Sequence, residues 1–416
     1  VPAQVWSRVA LISLGGFFEF YDIFFAGYIA PGLVRSGILT PTTPGLFGST
    51  GVAGFVAAMF SGLFVGTALV SFVADRFGRR AIFTYSLLWY TVASVVMAFQ
   101  QHVFGLDLWR FISGIGVGVE LVTIDTYLSE LVPANLRGRA FAINQAIQFC
   151  AVPLVALLAW LLVPRSPFGM DGWRWVVLFG AAGAILVWWI RLRVPESPRW
   201  LAQRATKDDR PAAPRAGFSE MWRPPYRTRS IMLIIFHLFQ TVGFYGFSNW
   251  VPTLLIARGI AITSSLHYTF IIAIAAPFGP LLAAAIADRL ERKWHIVLSA
   301  LTIAFAGLLF GQMTAAALLI FFGVLLTLAN NILSFASHAY QAELYPTRIR
   351  ALAVGFVYSW SRISVVFSSF VIGFALDRFG VPGVFTLIAG GMLIVILAIG
   401  LLGPRTNNLA LETISQ

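Results

Sequence analysis

The sequence predicts an all-α integral membrane protein, with twelve transmembrane helices in two six-helix repeats. Three observations carry this. Only 11% of the 416 residues are charged and 58% are hydrophobic, where a soluble protein carries about 25% charged residues. Apolar runs long enough to cross a bilayer, at roughly 20 residues per span, recur along the whole chain. Two motifs also return at one spacing. "SFVADRFGRR" (71–80) comes back as "AAIADRLERK" (284–293), and "ELVPANLRGR" (130–139) as "ELYPTRIRAL" (343–352). Asp75 to Asp288 is 213 residues, and so is Glu130 to Glu343. Unrelated motifs that share one spacing point to internal duplication.

In chain order the spans are expected at 9–34, 50–74, 81–99, 106–131, 139–163, 174–193, 229–256, 265–287, 294–312, 314–343, 352–376 and 382–403. The connections set orientation. One alternating set carries Arg76, Arg79 and Arg80; Arg137 and Arg139; the basic stretch Arg191 to Arg229; Arg289, Arg292 and Lys293; and Arg348 and Arg350. The other set carries scattered charges such as Arg35, Asp107, Arg165 and Arg258. The first set is expected to face the cytoplasm, with both termini. The net charge of +12 is therefore read as topology rather than as affinity for nucleic acid. The long polar break 194–228 holds six prolines among charges and reads as a cytoplasmic linker. It divides an N-terminal bundle (1–193) from a C-terminal one (229–416). The first apolar segment is too long for the core of a cleavable signal peptide. The one cysteine, Cys150, rules out an intrachain disulfide and reads as a small packing residue. No His, Cys and carboxylate cluster has metal-ligand spacing.

The first span poses the main chemical question. "GGFFEFYDIFFAGY" (15–28) places Glu19 and Asp22 three residues apart on one helical face. A charge in hydrocarbon costs roughly 3 kcal/mol on insertion scales, so such an acid implies a partner, an ion or a proton. Arg110, Glu120 and Asp125 in span 4 and Arg362 in span 11 pose the same question. At a rise of about 1.5 Å per residue, Asp22 lies roughly 20 Å from the inner end of span 1. Arg110 lies about 30 Å above the inner end of span 4, a difference that extended side chains just bridge.

"DRFGRR" after span 2, "RFISGIGVGVE" in span 4, "PESPRWL" after span 6 and "ELYPTRIR" after span 10 resemble the major facilitator superfamily over the whole chain. Within it, they are similar to the branch of sugar porters, metabolite–proton symporters and organic-ion transporters. That family is built from parallel six-span repeats. Two positions depart from its loop motif: the opening glycine is Ser71, and the inner glycine of the second copy is Glu291. The resemblance implies that Asp75, Arg79, Glu130 and Arg137, with Asp288, Arg292, Glu343 and Arg350, form charge networks that latch and release the two halves. The plain alternative is topology signals and surface ion pairs worth under about 1 kcal/mol each.

The resemblance also implies that Asp22 pairs with Arg110 and carries a coupling proton; the alternative is a structural ion pair. Glu19 is a competing proton site, with lining the pocket or bonding a neighbouring helix as the alternatives. Glu120 is a packing acid or a proton relay. Organic-anion transporters have an arginine near the position of Arg362, and a guanidinium offers a planar fork to a carboxylate. Arg362 is therefore read as an anion ligand, with a structural partner for another acid as the alternative. Asn144 and Gln145 fall where sugar porters hold a substrate glutamine, and Gln240 falls near such a site in span 7. Phe239 stands where a second glutamine is usual. Asn331 is a further polar candidate. Tyr21, Tyr245, Tyr358 and Trp360 are candidate aromatic walls. His237 reads as a hydrogen-bonded intramembrane polar group, with a titrating role as the alternative.

The expected function is secondary active transport, proton-coupled symport of a small organic anion such as nicotinate by alternating access. A sugar or polyol symporter or facilitator is the alternative. No catalytic constellation for an enzyme is visible, and no cofactor is expected beyond the proton gradient. The expected partners are a small-molecule substrate, protons and the lipid bilayer, in a bacterial inner (plasma) membrane. The expected state is a monomer that binds no nucleic acid.

Overall fold

A computed structural model describes residues 3–40, 42–77, 79–132, 136–192, 218–286 and 290–406. Hydrocarbon offers the backbone no hydrogen-bond partner, so apolar runs of this length close their own ladders as helices. The helical segments are α1 (Ala3–Arg35), α2 (Val52–Phe77), α3 (Arg79–Ala98), α4 (Val103–Leu131), α5 (Arg137–Phe149), α6 (Ala151–Leu162) and α7 (Gly172–Arg191). There follow α8 (Tyr226–Ser248), α9 (Val251–Ala257), α10 (Ile262–Ala273), α11 (Phe278–Ile286), α12 (Arg292–Phe310), α13 (Ala316–Glu343) and α14 (Thr347–Leu402).

Breaks at Cys150, at Asn249–Trp250 and at 274–277 divide spans 5, 7 and 8 into paired segments. α14 holds spans 11 and 12, which separate at Gly380 (φ 66°, ψ −166°). That backbone conformation is open essentially to glycine alone, and Pro382 follows it. Among the described residues the helices therefore make twelve spans. The duplication shows in their phase: Arg79 and Arg292 open equivalent helices, as do Val103 and Ala316, each pair 213 residues apart.

By mutual contact the chain forms two units. The first is Val1–Arg210 with Asn249–Pro277, and the second is Pro211–Ser248 with Phe278–Gln416. Spans 7 and 8 are thus shared, α9 and α10 packing with the first unit and α8 and α11 with the second. The breaks make this possible, since Pro252 lies at the start of α9 and Pro277 ends the turn before α11.

In the first unit α1 is the central helix. Every residue from Tyr21 to Leu33 is buried, as expected of a helix that is apolar all round. α2 and α4 approach at backbone distance. A side chain on Gly62 would run into the carbonyl of Phe111, and one on Gly114 into that of Met59. Small residues allow this closeness where lipid gives helices no hydrophobic drive to associate. Arg174, at the start of α7, donates to the carbonyls of Ala98, the last residue of α3, and of Gln100 just past it. A cation there answers the orphan carbonyls of a helix C-terminus. In α6 and α10, Trp160 stacks on His267 with ring centroids 4.3 Å apart.

In the second unit α8 packs along α14, and α12 along α13 and α14. Large apolar side chains such as Trp89, Phe305 and Phe367 stay exposed, which lipid, unlike water, does not penalise.

Candidate functional site

The first site is built by α1, α3 and α4 around Asp22. Arg110 Nη1 lies 2.9 Å from Asp22 Oδ2, and its Nη2 donates to the Asp22 backbone carbonyl at 2.5 Å. Ser113, one turn along α4 from Arg110, donates to the same Oδ2 at 3.0 Å. From α3, Ser94 donates to Oδ1 at 2.8 Å. Asp22 is 4% exposed and Arg110 is fully buried. The guanidinium also lies over the Phe25 ring, 4.2 Å from its centroid.

Each group that reaches the two carboxyl oxygens is one that can donate, while Arg110 Nε has no hydrogen-bond partner among the described residues. Ser94 Oγ and Ser113 Oγ are 3.2 Å apart, within hydrogen-bond reach of each other. Glu19, one turn earlier on α1, and Glu120 on α4 are both fully buried.

The second site lies within the second unit, on α8, α13 and α14. Arg362 is 2% exposed, near the midpoint between Thr347 and Gly380. Its Nη2 donates to the hydroxyl of Tyr358, one turn earlier, at 2.9 Å, and its Nη1 reaches Tyr245 Oη at 3.4 Å. Its guanidinium carbon is 4.8 Å from the Tyr358 ring centroid. Two histidines meet the same ring, His237 at 5.3 Å and His338 at 5.4 Å between centroids. His237 Nε2 is 2.9 Å from Gln341 Oε1. Close by in sequence, Thr241 donates to Ser364 at 2.8 Å and ties α8 to α14. A guanidinium, phenol hydroxyls and ring faces together form a chemistry suited to a planar anion.

Of the residues read as a latch, Arg292 and Glu343 form an ion pair between α12 and α13. Arg350 donates from Nε to the Tyr345 carbonyl at 3.2 Å. The side chains of Asp75, Arg79, Asp125, Glu130 and Arg137, the whole of Asp288 and the segment 193–217 lie outside the described residues.

Several candidate pocket residues are engaged in packing. Tyr21 is buried in the seam between α1 and α7, its hydroxyl donating to the Val176 carbonyl at 2.7 Å. Asn144 accepts from Ser13 at 2.9 Å. Asn331 is buried with its Cβ side turned to Gly279. Trp360 packs on Phe356, which also meets Phe218 and Trp222. Gln145 is half-buried and Gln240 is 9% exposed.

Sequence reasoning missed Ser94, Ser113 and Gln341. For Ser113 the signal was present, since it sits three residues from Arg110 and shares its face. A serine in an apolar span such as Ser94 carries little signal, because its hydroxyl is as readily satisfied by its own helix.

Twelve spans in two repeats, with charged groups buried inside the bundles, define a polytopic membrane transport protein. The chain belongs to the Major Facilitator Superfamily, whose model matches residues 12–316 and 269–413. YyaJ of Bacillus subtilis, provisionally named a metabolite transport protein, is 30% identical over 94% of this chain and 90% of its own. The niacin transporter NiaP of Acinetobacter baylyi is 28% identical over 97% of this chain and 95% of its own. In fold the chain is similar to the inward-open xylose transporter XylE of E. coli, with a TM-score of 0.78, 20% identity and 99% of each chain covered. The protein is a transporter, not an enzyme.

Proposed function

We propose that the protein is a proton-coupled symporter of a small organic anion, an aromatic or other carboxylate of which nicotinate is one candidate. The observation that carries the anion is Arg362, a guanidinium buried near the middle of span 11, between Thr347 and Gly380, beside the hydroxyls of Tyr358 and Tyr245. Its planar fork matches a carboxylate bidentately. NiaP, by its name, carries niacin, itself a carboxylate.

Asp22 carries the proton in this reading. When it is ionised, Arg110, Ser94 and Ser113 bind α1 to α3 and α4. Protonation removes the negative end of the pair and leaves Arg110 with the Asp22 carbonyl and the Phe25 ring. The two protonation states then favour different conformations, and a proton biases alternating access by its differential affinity for them. The energy comes from the proton gradient, without a cofactor. The basic ends of the spans face the cytoplasm of a bacterial inner membrane, and Arg292, Glu343 and Arg350 serve the latch at that end.

Uptake into proteoliposomes tests this, with a panel of carboxylates, sugars and amines and an imposed pH gradient. The expected result is carboxylate accumulation that rises with inward proton flow and collapses with a protonophore. Transport of a neutral sugar and of no anion would overturn the anion, and anion uptake indifferent to the gradient would overturn the coupling.

A further inference from the structure

His237 is 2% exposed, on a helix that faces α13 and α14. Gln341, itself buried, presents Oε1 to Nε2 at 2.9 Å. In the uncharged ring Nε2 is therefore the donor, and Nδ1 keeps a lone pair. Nδ1 has no hydrogen-bond partner among the described residues. A strut between α8 and α13 needs the Gln341 bond alone and gains nothing from a second nitrogen. A buried acceptor left unsatisfied is costly, and the cost is recovered when a ligand brings the donor.

The location says which ligand. His237 meets the Tyr358 ring edge-on, with an interplanar angle of 84°. Arg362 covers the same ring and takes its hydroxyl. From α13, His338, which is exposed, reaches this ring too. One tyrosine thus brings a fork for a carboxylate and a buried lone pair to the same neighbourhood.

We propose that His237 is a second recognition residue of the anion site, accepting a hydrogen bond from a ring hydroxyl of an aromatic carboxylate whose acid group Arg362 holds. The proposal rests on the anion reading above and narrows it to hydroxyaromatic acids. It gives the unpartnered nitrogen a role and makes Gln341 the residue that fixes the tautomer.

The test uses the full-length protein and measures affinity for benzoate, 3- and 4-hydroxybenzoate and nicotinate. Two variants separate the two nitrogens. His237→Gln places a polar group where Nε2 lies and keeps the Gln341 bond, but has nothing at Nδ1. His237→Asn keeps a polar atom near Nδ1. Wild type is expected to prefer a hydroxybenzoate to benzoate by about tenfold or more, as a site built to bond a hydroxyl does. His237→Gln should erase that preference and leave benzoate within about twofold, while His237→Asn retains part of it. Monodisperse elution and an unchanged thermal midpoint establish that each variant is folded.

Equal loss of all four acids in His237→Gln, or no loss of any, would make His237 a strut and overturn the proposal. A preference for nicotinate alone, erased by His237→Gln, requires a hydrogen on Nδ1 and overturns the hydroxyl. If wild type binds none of the four acids, the anion reading itself fails, and that outcome is told apart because no variant is involved.

Discussion

Asp22 has three side-chain donors around its two oxygens, and each comes from a different turn of the neighbouring helices. Asparagine at this position keeps an acceptor but cannot ionise, so it imitates the protonated state. Asp22→Asn should therefore abolish uphill uptake while counterflow exchange continues, measured in proteoliposomes with and without a pH gradient. Proton-driven accumulation by that variant at the wild-type level would remove Asp22 from the role. Arg362 has the opposite logic. If it pairs with a substrate carboxylate, truncation leaves one buried charge uncompensated, at about 3–5 kcal/mol. Arg362→Ala should then lose measurable anion affinity in a protein that still elutes as a folded species. Arg362→Lys should fall between, since lysine lacks the planar fork. Unchanged affinity in a folded Arg362→Ala protein would exclude it as the anion ligand.

Helix α4 holds Arg110 and Ser113 at the right depth because glycines let it lie against α2. The seam works in both directions, Gly62 meeting the backbone at Phe111 and Gly114 the backbone at Met59. Backbone cannot swing aside as a side chain does, so a Cβ here moves a whole helix. Gly62→Val should cost about 1–3 kcal/mol or more by overpacking. Its effect should appear both as a lower thermal midpoint and as impaired uptake, because α4 carries the partner of Asp22. Gly355 and Gly390 make the contrast, since a Cβ at either meets open space. There the alanine substitution should be neutral or stabilise the helix by about 0.5–1 kcal/mol. A Gly62→Val protein as stable as wild type would show that the seam can open without cost. Spans 11 and 12 depend on a different glycine. The sequence places a boundary between 376 and 382, and Gly380 supplies it through a backbone angle that a side chain resists.

The duplication links the two halves as a whole and makes a prediction about the first from the second. Arg292 and Glu343 pair between α12 and α13. The residues 213 positions earlier are Arg79 and Glu130. They open α3 and lie near the end of α4, so the repeat predicts a second pair there. Arg79→Glu should impair transport, and adding Glu130→Arg should restore a substantial part of it. Like charges side by side repel, and the double exchange restores the attraction. A double variant no better than the single would deny the pairing. The two contact units cut across chain order at spans 7 and 8, where breaks at 249–250 and 274–277 let one span pack in two places.

The amino-acid sequence by itself determined the number of spans, the doubling, and which helices carry charge into the membrane. Those properties are local or periodic: hydropathy is summed along one helix, and a repeat is a distance along the chain. It also singled out Asp22, Arg110 and Arg362, because a charge in an apolar run is expensive wherever the run packs. Tertiary structure alone decided what each charge touches. Ser94 is 72 residues from Asp22, and Gln341 is 104 from His237. Depth counted from the two helix ends left Asp22 and Arg110 barely within reach, yet crossing helices bring them into a direct bond. A helix has one register along its axis but many angles at which it can cross a neighbour. Those angles are set by packing of side chains from several spans at once, which no single stretch of sequence contains.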